Sequence, residues 1–351
     1  MKKIHFIIIT VVSLLFIAGA AVAVFWPDIF PQETTESRAT VDSTTKTTIA
    51  EATATVPEFT CPLDGEATGE QQSLRRPFAV MIENHPDARP QSGLSKACVV
   101  YETVAEGGIT RFMAVFLHND VGNIGPVRSA REYFADLAKQ YDAVYAHCGG
   151  PTTIYDVIKN LGLADLDQYF NGDYFWRIKT RHAPHNLYTS TDFLRKGSEA
   201  HGYNQQVFFQ KLNFKDDEPL EMRPATETVV INFSKPLFLV RYDYDRQTNT
   251  YKRFMVGKPH IDPDNNRQIS PKNVVIQYAP ISNIADDPKG RMKVNLVGTG
   301  RGIVFQDGKT IQATWNRATV TDPTRYYDPT GIEIKLNRGQ TWFEVVDLTK
   351  P

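Results

Sequence analysis

From residue 225 to residue 348 the chain consists of short apolar runs parted by turn formers: "ETVVINFS", "LFLVRYDYD", "TYKRFMVG", "NVVIQYAP", "MKVNLVGTG", "RGIVFQDGKTIQATWNR" and "GIEIKLNRGQTWFEVV". In them β-branched and aromatic residues alternate with polar ones, which is the period of a half-buried strand. The pairs and triplets "DG" and "NRG" are hairpin signals. No helical period crosses the stretch, so an all-β domain is expected over 225–348.

The preceding segment reads differently. "RPFAVMIEN" (76–84), "ACVVYETV" (97–104) and "TRFMAVFLH" (110–118) are strand-like, but two helical patterns follow them. In "SAREYFADLAKQYDAVY", Tyr133 or Phe134, Leu137, Ala138 and Tyr141 fall at helical spacing. In "GGPTTIYDVIKNLG", Ile154, Val157, Ile158 and Leu161 share one face, with Pro151 before it and Gly162 after it. Strands interleaved with helices predict an α/β layered domain over 61–215. The fold class is therefore α+β, a sheet-and-helix domain followed by a smaller all-β one, joined through the acidic "FKDDEPLEMRPAT". A length of 351 residues, 41% of them hydrophobic, suits about two such cores.

Ahead of the folded part, "MKKIHFIIITVVSLLFIAGAAVAVFW" holds two lysines and an apolar run from Ile4 to Trp26, long enough to cross a bilayer. Residues 1–30 are expected to be a single-pass membrane anchor, with the lysines in the cytoplasm and the bulk of the chain outside. A cleaved signal peptide is the rival reading, since "AVA" at 22–24 is a small-residue cleavage pattern. Residues 31–60 are rich in Thr, Ser, Ala and Glu and carry no apolar period, so a disordered stalk is expected there. The formal net charge of −1 excludes a general nucleic-acid binder, which needs a broad basic surface. Cys61, Cys98 and Cys148 show no metal-like spacing; a Cys98–Cys148 bridge and buried thiols are the two readings, and the second is the default.

The polar residues of the first segment gather at element ends. "ENHPDARPQSG" (83–93) contributes Glu83, Asn84, His85 and Arg89, and "EGGITR" contributes Glu106 and Arg111. "GPVRSARE" brings Arg128 and Arg131, "AHCGGP" brings His147, and "TRHAPHNLY" brings Arg181, His185 and Asn186. Forked guanidinium donors beside glycine-bounded turns suit a phosphate or a carboxylate. Each arginine alone is more usually a solvated or ion-paired surface group. Glu83, Glu102 and Glu106 could form an acid/base set, hold a cation, or neutralise the arginines. No nucleophile elbow and no phosphate loop is present, so the chemistry and the catalytic status stay open and no cofactor is called for.

"RPFAVMIENHPDARPQSGLSKACVVYETVAEGGITRFMAVF", "IGPVRSAREYF", "YAHCGGP", "APHNLYTS" and, later, "GKTIQATWNR" and "GQTWFEVV" together resemble the YerB-like lipoproteins, a Gram-positive cell-surface family of undefined biochemical role. The likeness spans residues 61–348. It implies an extracytoplasmic protein of the cell envelope, here with a hydrophobic anchor and no nearby cysteine to lipidate.

More distantly, "RFMAVFLHNDVGNIGPVRSAREYF" followed by "YDAVYAHCGGPTTIYDVIKNLGLADLDQYF" is similar to the LytR-CpsA-Psr phosphotransferases. That resemblance implies a strand, turn and second strand delivering Arg128 to a phosphate, with Arg131 a helical turn away in support. Those enzymes hold a divalent metal on aspartates, and where an aspartate should open the strand this chain has Thr110 and Arg111. The resulting expectation is a membrane-anchored protein that binds an anionic envelope ligand, a lipid pyrophosphate or a wall polymer. A metal-assisted phosphotransferase or hydrolase, and an ectodomain with no ligand, are the alternatives.

Overall fold

The computed structural model of the protein describes residues 59–350; the expected anchor (1–30) and nearly all of the expected stalk (31–60) lie outside the described residues. The first strands are β1 (Phe78–Glu83), β2 (Val99–Glu106) and β3 (Ile109–Phe116); β2 and β3 form a hairpin closed by the Gly107–Gly108 turn, and β3 pairs antiparallel with β1 on its other side. Helix α1 (Glu132–Lys139) leads to β4 (Val144–His147), and helix α2 (Ile154–Leu161) leads to β5 (Ala164–Asp167). Gly162 ends α2 with φ +57°, a left-handed position from which its N–H caps the helix on Ile158 and Lys159. Both expected helices are present. A further one, α3 (Thr191–Ala200), capped by the Ser190 hydroxyl on Phe193 N–H, was not signalled by apolar spacing.

The second segment supplies β6 (Thr228–Asn232), β7 (Leu239–Asp245), β8 (Thr250–Met255) and β9 (Lys258–Pro259), then β10 (Asn273–Ala279), β11 (Gly298–Gln306), β12 (Lys309–Arg317), β13 (Arg325–Tyr327) and β14 (Thr341–Asp347). β6 to β9 form an antiparallel four-stranded sheet. The other strands of this group join the first segment in one ten-stranded sheet, in the order β13-β12-β11-β10-β14-β2-β3-β1-β4-β5.

The seam is the parallel pairing of β14 with β2, which sets Val100 beside Trp342, Tyr101 beside Phe343 and Glu102 beside Glu344. The two segments read from the sequence are thus contiguous stretches of chain that share one sheet. The "DG" hairpin forms between β11 and β12, with Asp307 at φ 53° and Gly308 at φ 68°. The "NRG" stretch makes no hairpin, because the strand after it runs into the sheet centre between β10 and β2.

The central sheet is covered on both faces. Val80, Ile82, Val100, Phe112 and Phe116 pack in one core with Val229, Ile231, Val240, Tyr242 and Tyr251 of the four-stranded sheet. Ala79, Met81, Tyr101 and Met113 pack in a second core with Phe134, Leu137, Ile154 and Ile158 of α1 and α2. This double cover explains why β1 and β10 are buried at every position, while β6 alternates exposed and buried.

Candidate functional site

β1, β4 and β5 are parallel neighbours, so their carboxyl ends, Glu83, His147 and Asp167, lie along one edge of the sheet. In open sheets with parallel strands that edge is where ligands bind. Four loops descend on it: 84–92 after β1, 117–131 before α1, 148–153 after β4 and 168–190 after β5.

The loop before α1 is not the second strand expected to deliver Arg128. It is irregular chain touching β1 through the Ile82–Val127 bridge, with Glu83 N–H donating to the Pro126 carbonyl. Arg128 is nevertheless fixed, since its N–H donates to Met81 O at 2.9 Å and its carbonyl accepts from Cys148 N–H at 3.1 Å. These bonds tie its backbone to the ends of β1 and β4 together.

Glu83 is the anchor of the site. Its carboxylate is almost wholly buried, with one oxygen 3.0 Å from Arg128 Nε and the other 2.9 Å from His185 Nδ1. The His185 ring stacks on His85 with centroids 4.7 Å apart. The Arg128 side chain is 27% exposed, and among the described residues its two terminal amino groups have no hydrogen-bond partner. Arg177 is exposed on the same loop system, oriented by Asn186, whose side-chain oxygen accepts from it at 2.8 Å. Tyr169 and Phe170 stand just beyond β5 with 70% and 76% of their surfaces exposed. His85, Asp87 and His185 present ligand-type atoms within 4.8 Å of one another, and they are the residues here that could hold a metal. Glu83 occupies His185 Nδ1 and leaves Nε2 as the free donor atom.

Of the residues singled out in the sequence, Glu83, His85, Arg128, His185 and Asn186 meet here. Arg131 does not support Arg128 from one helical turn away. It is the cap residue of α1, and its guanidinium turns to Glu106 and to the Ala130 carbonyl. Arg111 shares Glu106 at 2.8 Å and donates to Ser129 O. Burial alone would push Glu106 up, but Arg111 and Arg131 outweigh it and hold the carboxyl below its ordinary value.

Arg89 is spent on Asn84 and the Leu237 carbonyl, and Arg181 on the carbonyls of Ala88 and Pro90. Asn84 is buried between Glu102 and Thr110, and His147 between the Gly149 carbonyl and Asp165. Glu83, Glu102 and Glu106 therefore form no common acid/base set; each neutralises arginines of its own. Cys98 and Cys148 form no bridge, because the Cys98 sulfur faces Cys61 while that of Cys148 bonds Gln168.

A second polar cluster was missed because half of it comes from the other sequence segment. Arg253 of β8 is fully buried; it ion-pairs with Glu102 of β2, bonds Tyr242 at 3.0 Å and His260 at 2.5 Å, and lies over the Trp342 ring at 4.5 Å. Glu344, side by side with Glu102 at the seam, is pushed up to about 8, first by burial and then by the Glu102 charge, and it meets the Tyr242 hydroxyl. The alternating "LFLVRYDYD" and "TYKRFMVG" placed Tyr242 and Arg253 on a strand face, but nothing local shows that a carboxylate from residue 102 completes it.

Comparison with known proteins finds two family models on this chain. Residues 63–204 match "Protein of unknown function (DUF3048) N-terminal domain", and residues 229–343 match "Protein of unknown function (DUF3048) C-terminal domain". A Bacillus subtilis protein named "Putative lipoprotein YerB" is 36% identical over 305 residues, which are 83% of this chain and 87% of that one. A crystal structure of the YerB protein from Bacillus subtilis superposes with a TM-score of 0.75 at 33% identity, covering 83% of this chain and 98% of the other.

Proposed function

The chain belongs to the DUF3048 family, and we propose that it is a membrane-anchored protein of the cell envelope that binds an anionic envelope ligand. The name of the Bacillus subtilis relative, a putative lipoprotein, supports a place at the membrane surface. In this chain the apolar run from Ile4 to Trp26 would hold it there, with the folded part outside the cytoplasm.

The observation that carries the ligand reading is the guanidinium of Arg128. It is held in place by Glu83, it sits at the carboxyl ends of parallel strands, and among the described residues its two terminal amino groups have no hydrogen-bond partner. Such a fork matches two oxygens of a pyrophosphate or a carboxylate. Arg177 and the His85–His185 pair add donors around it, and the exposed rings of Tyr169 and Phe170 suit a sugar or lipid flank. By this reading the likeness to LytR-CpsA-Psr enzymes reduces to the role of Arg128 as the phosphate-holding arginine.

One observation favours a second reading, metal-assisted transfer or hydrolysis of wall-polymer precursors: the convergence of His85, Asp87 and His185, with His185 oriented by a buried carboxylate. The test is thermal denaturation of the full chain with inorganic pyrophosphate, a polyprenyl pyrophosphate and an anionic wall polymer, each with and without Mg²⁺ or Mn²⁺. A ligand at a hundred times its Kd stabilises the native state by about 2.7 kcal/mol. Stabilisation without metal supports binding, and stabilisation that requires metal supports the second reading. No shift with any of these anions contradicts both and leaves a ligand-free ectodomain.

A further inference from the structure

Away from that edge, where the described chain begins, four metal-ligating side chains converge: Cys61, Asp64, Cys98 and His118, with ligand atoms all within 4.8 Å of one another. We propose that these residues form a structural zinc site that clamps the 61–66 turn to the central sheet.

The local chemistry builds the site from rigid pieces. In "CPLDG" the Gly65 N–H bonds the Cys61 carbonyl and the Cys61 N–H bonds the Glu66 carbonyl, both at 2.8 Å, closing a tight turn that puts Cys61 and Asp64 on one side. Gly65 has φ +71°, and a Cβ there would lie 2.6 Å from the Phe214 ring, so the turn requires glycine. Ligands three residues apart on a turn, followed by ligands from distant elements, are the usual layout of a structural zinc site.

The distant pair comes from the sheet. Cys98 directly precedes β2 and its N–H bonds Val115 O, while His118 follows β3 by two residues. The Leu63 N–H points at Cys61 Sγ from 3.4 Å, a contact that favours a thiolate.

The distances fit the ion. A tetrahedral zinc with bonds of about 2.3 Å to sulfur sets two sulfurs about 3.8 Å apart; Cys61 Sγ and Cys98 Sγ are 3.9 Å apart. His118 Nε2 and Asp64 Oδ2 are 2.9 Å apart, hydrogen-bonded to each other. They would open by about half an ångström to span the edge between a nitrogen and an oxygen ligand.

Binding therefore exchanges the Asp64–His118 hydrogen bond for four bonds to the metal, and it frees Nε2 by releasing to solvent the proton held between His118 and Asp64 together with the two thiol protons. Two thiolates, a carboxylate and a neutral imidazole select zinc over the oxygen-seeking Mg²⁺ and Ca²⁺. Cys61, Asp64 and Cys98 are buried and His118 nearly so, and four protein ligands leave no position open for substrate, so the role is structural.

The experiment takes the full chain, purified without chelator, and measures its metal content and its thiols after denaturation in chelator. The site predicts about one zinc per chain and all three cysteines titratable. Cys98→Ser and His118→Ala should each lower zinc content about tenfold or more, while Cys148→Ser should leave it unchanged. Should those variants fail to fold, replacing zinc by Co²⁺ in the unaltered chain reads the site directly, through a thiolate-to-cobalt charge-transfer band. One titratable thiol and no metal would overturn the proposal in favour of a Cys61–Cys98 disulfide. Three thiols with no zinc or cobalt taken up would overturn it in favour of plain buried thiols.

Discussion

The polar cluster at the centre of the molecule and the one at its edge are built from the same residue types and differ in what is left over. In the centre, every nitrogen of Arg253 is engaged, by Glu102, Tyr242 and His260, under the Trp342 ring. At the edge, Arg128 is engaged among the described residues at Nε alone. A buried ion pair of the first kind ties parts of a fold together, and removing one partner strands the other. A half-engaged guanidinium held by a buried carboxylate keeps its two remaining amino groups in a fixed orientation, and the proposed anion site rests on that. The centre also joins Glu102 and Asn84 of one sequence segment to Tyr242, Arg253 and Glu344 of the other, so it belongs to the seam.

The largest effect that would sharpen this contrast is to cut at the seam. A chain starting at residue 225 leaves β14 without β2 and Arg253 without Glu102, and should give no cooperative unfolding transition by circular dichroism. A sharp transition from that fragment would show that the second segment closes its own core. Next, Arg253→Met in the full chain should cost about 3–5 kcal/mol in denaturant unfolding, because Glu102 is then buried without its partner. The double variant Glu102→Gln with Arg253→Met should recover part of that loss.

A smaller effect concerns pH. Glu344 holds its proton up to about 8 in the folded chain and releases it near 4.5 when unfolded. Between those values the native state binds the extra proton, so stability should fall as pH rises from about 4.5 to about 8. Glu344→Gln should flatten that slope and leave the protein relatively more stable at the alkaline end. An unchanged slope in chemical denaturation would mean that Glu344 is ionised in the fold.

Much of the layout was legible in the residues. The strands from Phe78 to Phe116, the helices over 132–139 and 154–161, the Gly162 stop and the Asp307–Gly308 hairpin follow from period and turn chemistry. The seam did not, since pairing between residues 99–102 and 341–344 leaves no local trace. The run "TWFEVV", apolar at four of six positions with no regular alternation, is its one signal, because a strand buried on both faces loses the alternation that β6 keeps.

At the site, Arg128, Glu83, His85 and His185 could be gathered from loop composition. Their sorting from Arg111 and Arg131 could not, because it depends on Glu106 facing the other arginines across the β2–β3 hairpin. The Cys61–Asp64–Cys98–His118 cluster escaped notice because its third and fourth members lie at the ends of separate strands.

The smallest expected structural effect carries the most functional weight. Arg128→Ala should change unfolding free energy by no more than about 1 kcal/mol, because the pair is partly exposed and Glu83 keeps His185. The most direct measurement is therefore a calorimetric titration of inorganic pyrophosphate into the full chain and into Arg128→Ala, with the melting temperature of each recorded. An anion site at Arg128 predicts similar melting temperatures and an affinity lowered by about 1.5–3 kcal/mol in the variant. A clearly lower melting temperature with unchanged affinity would contradict it and place Arg128 with Arg253 among the structural charges.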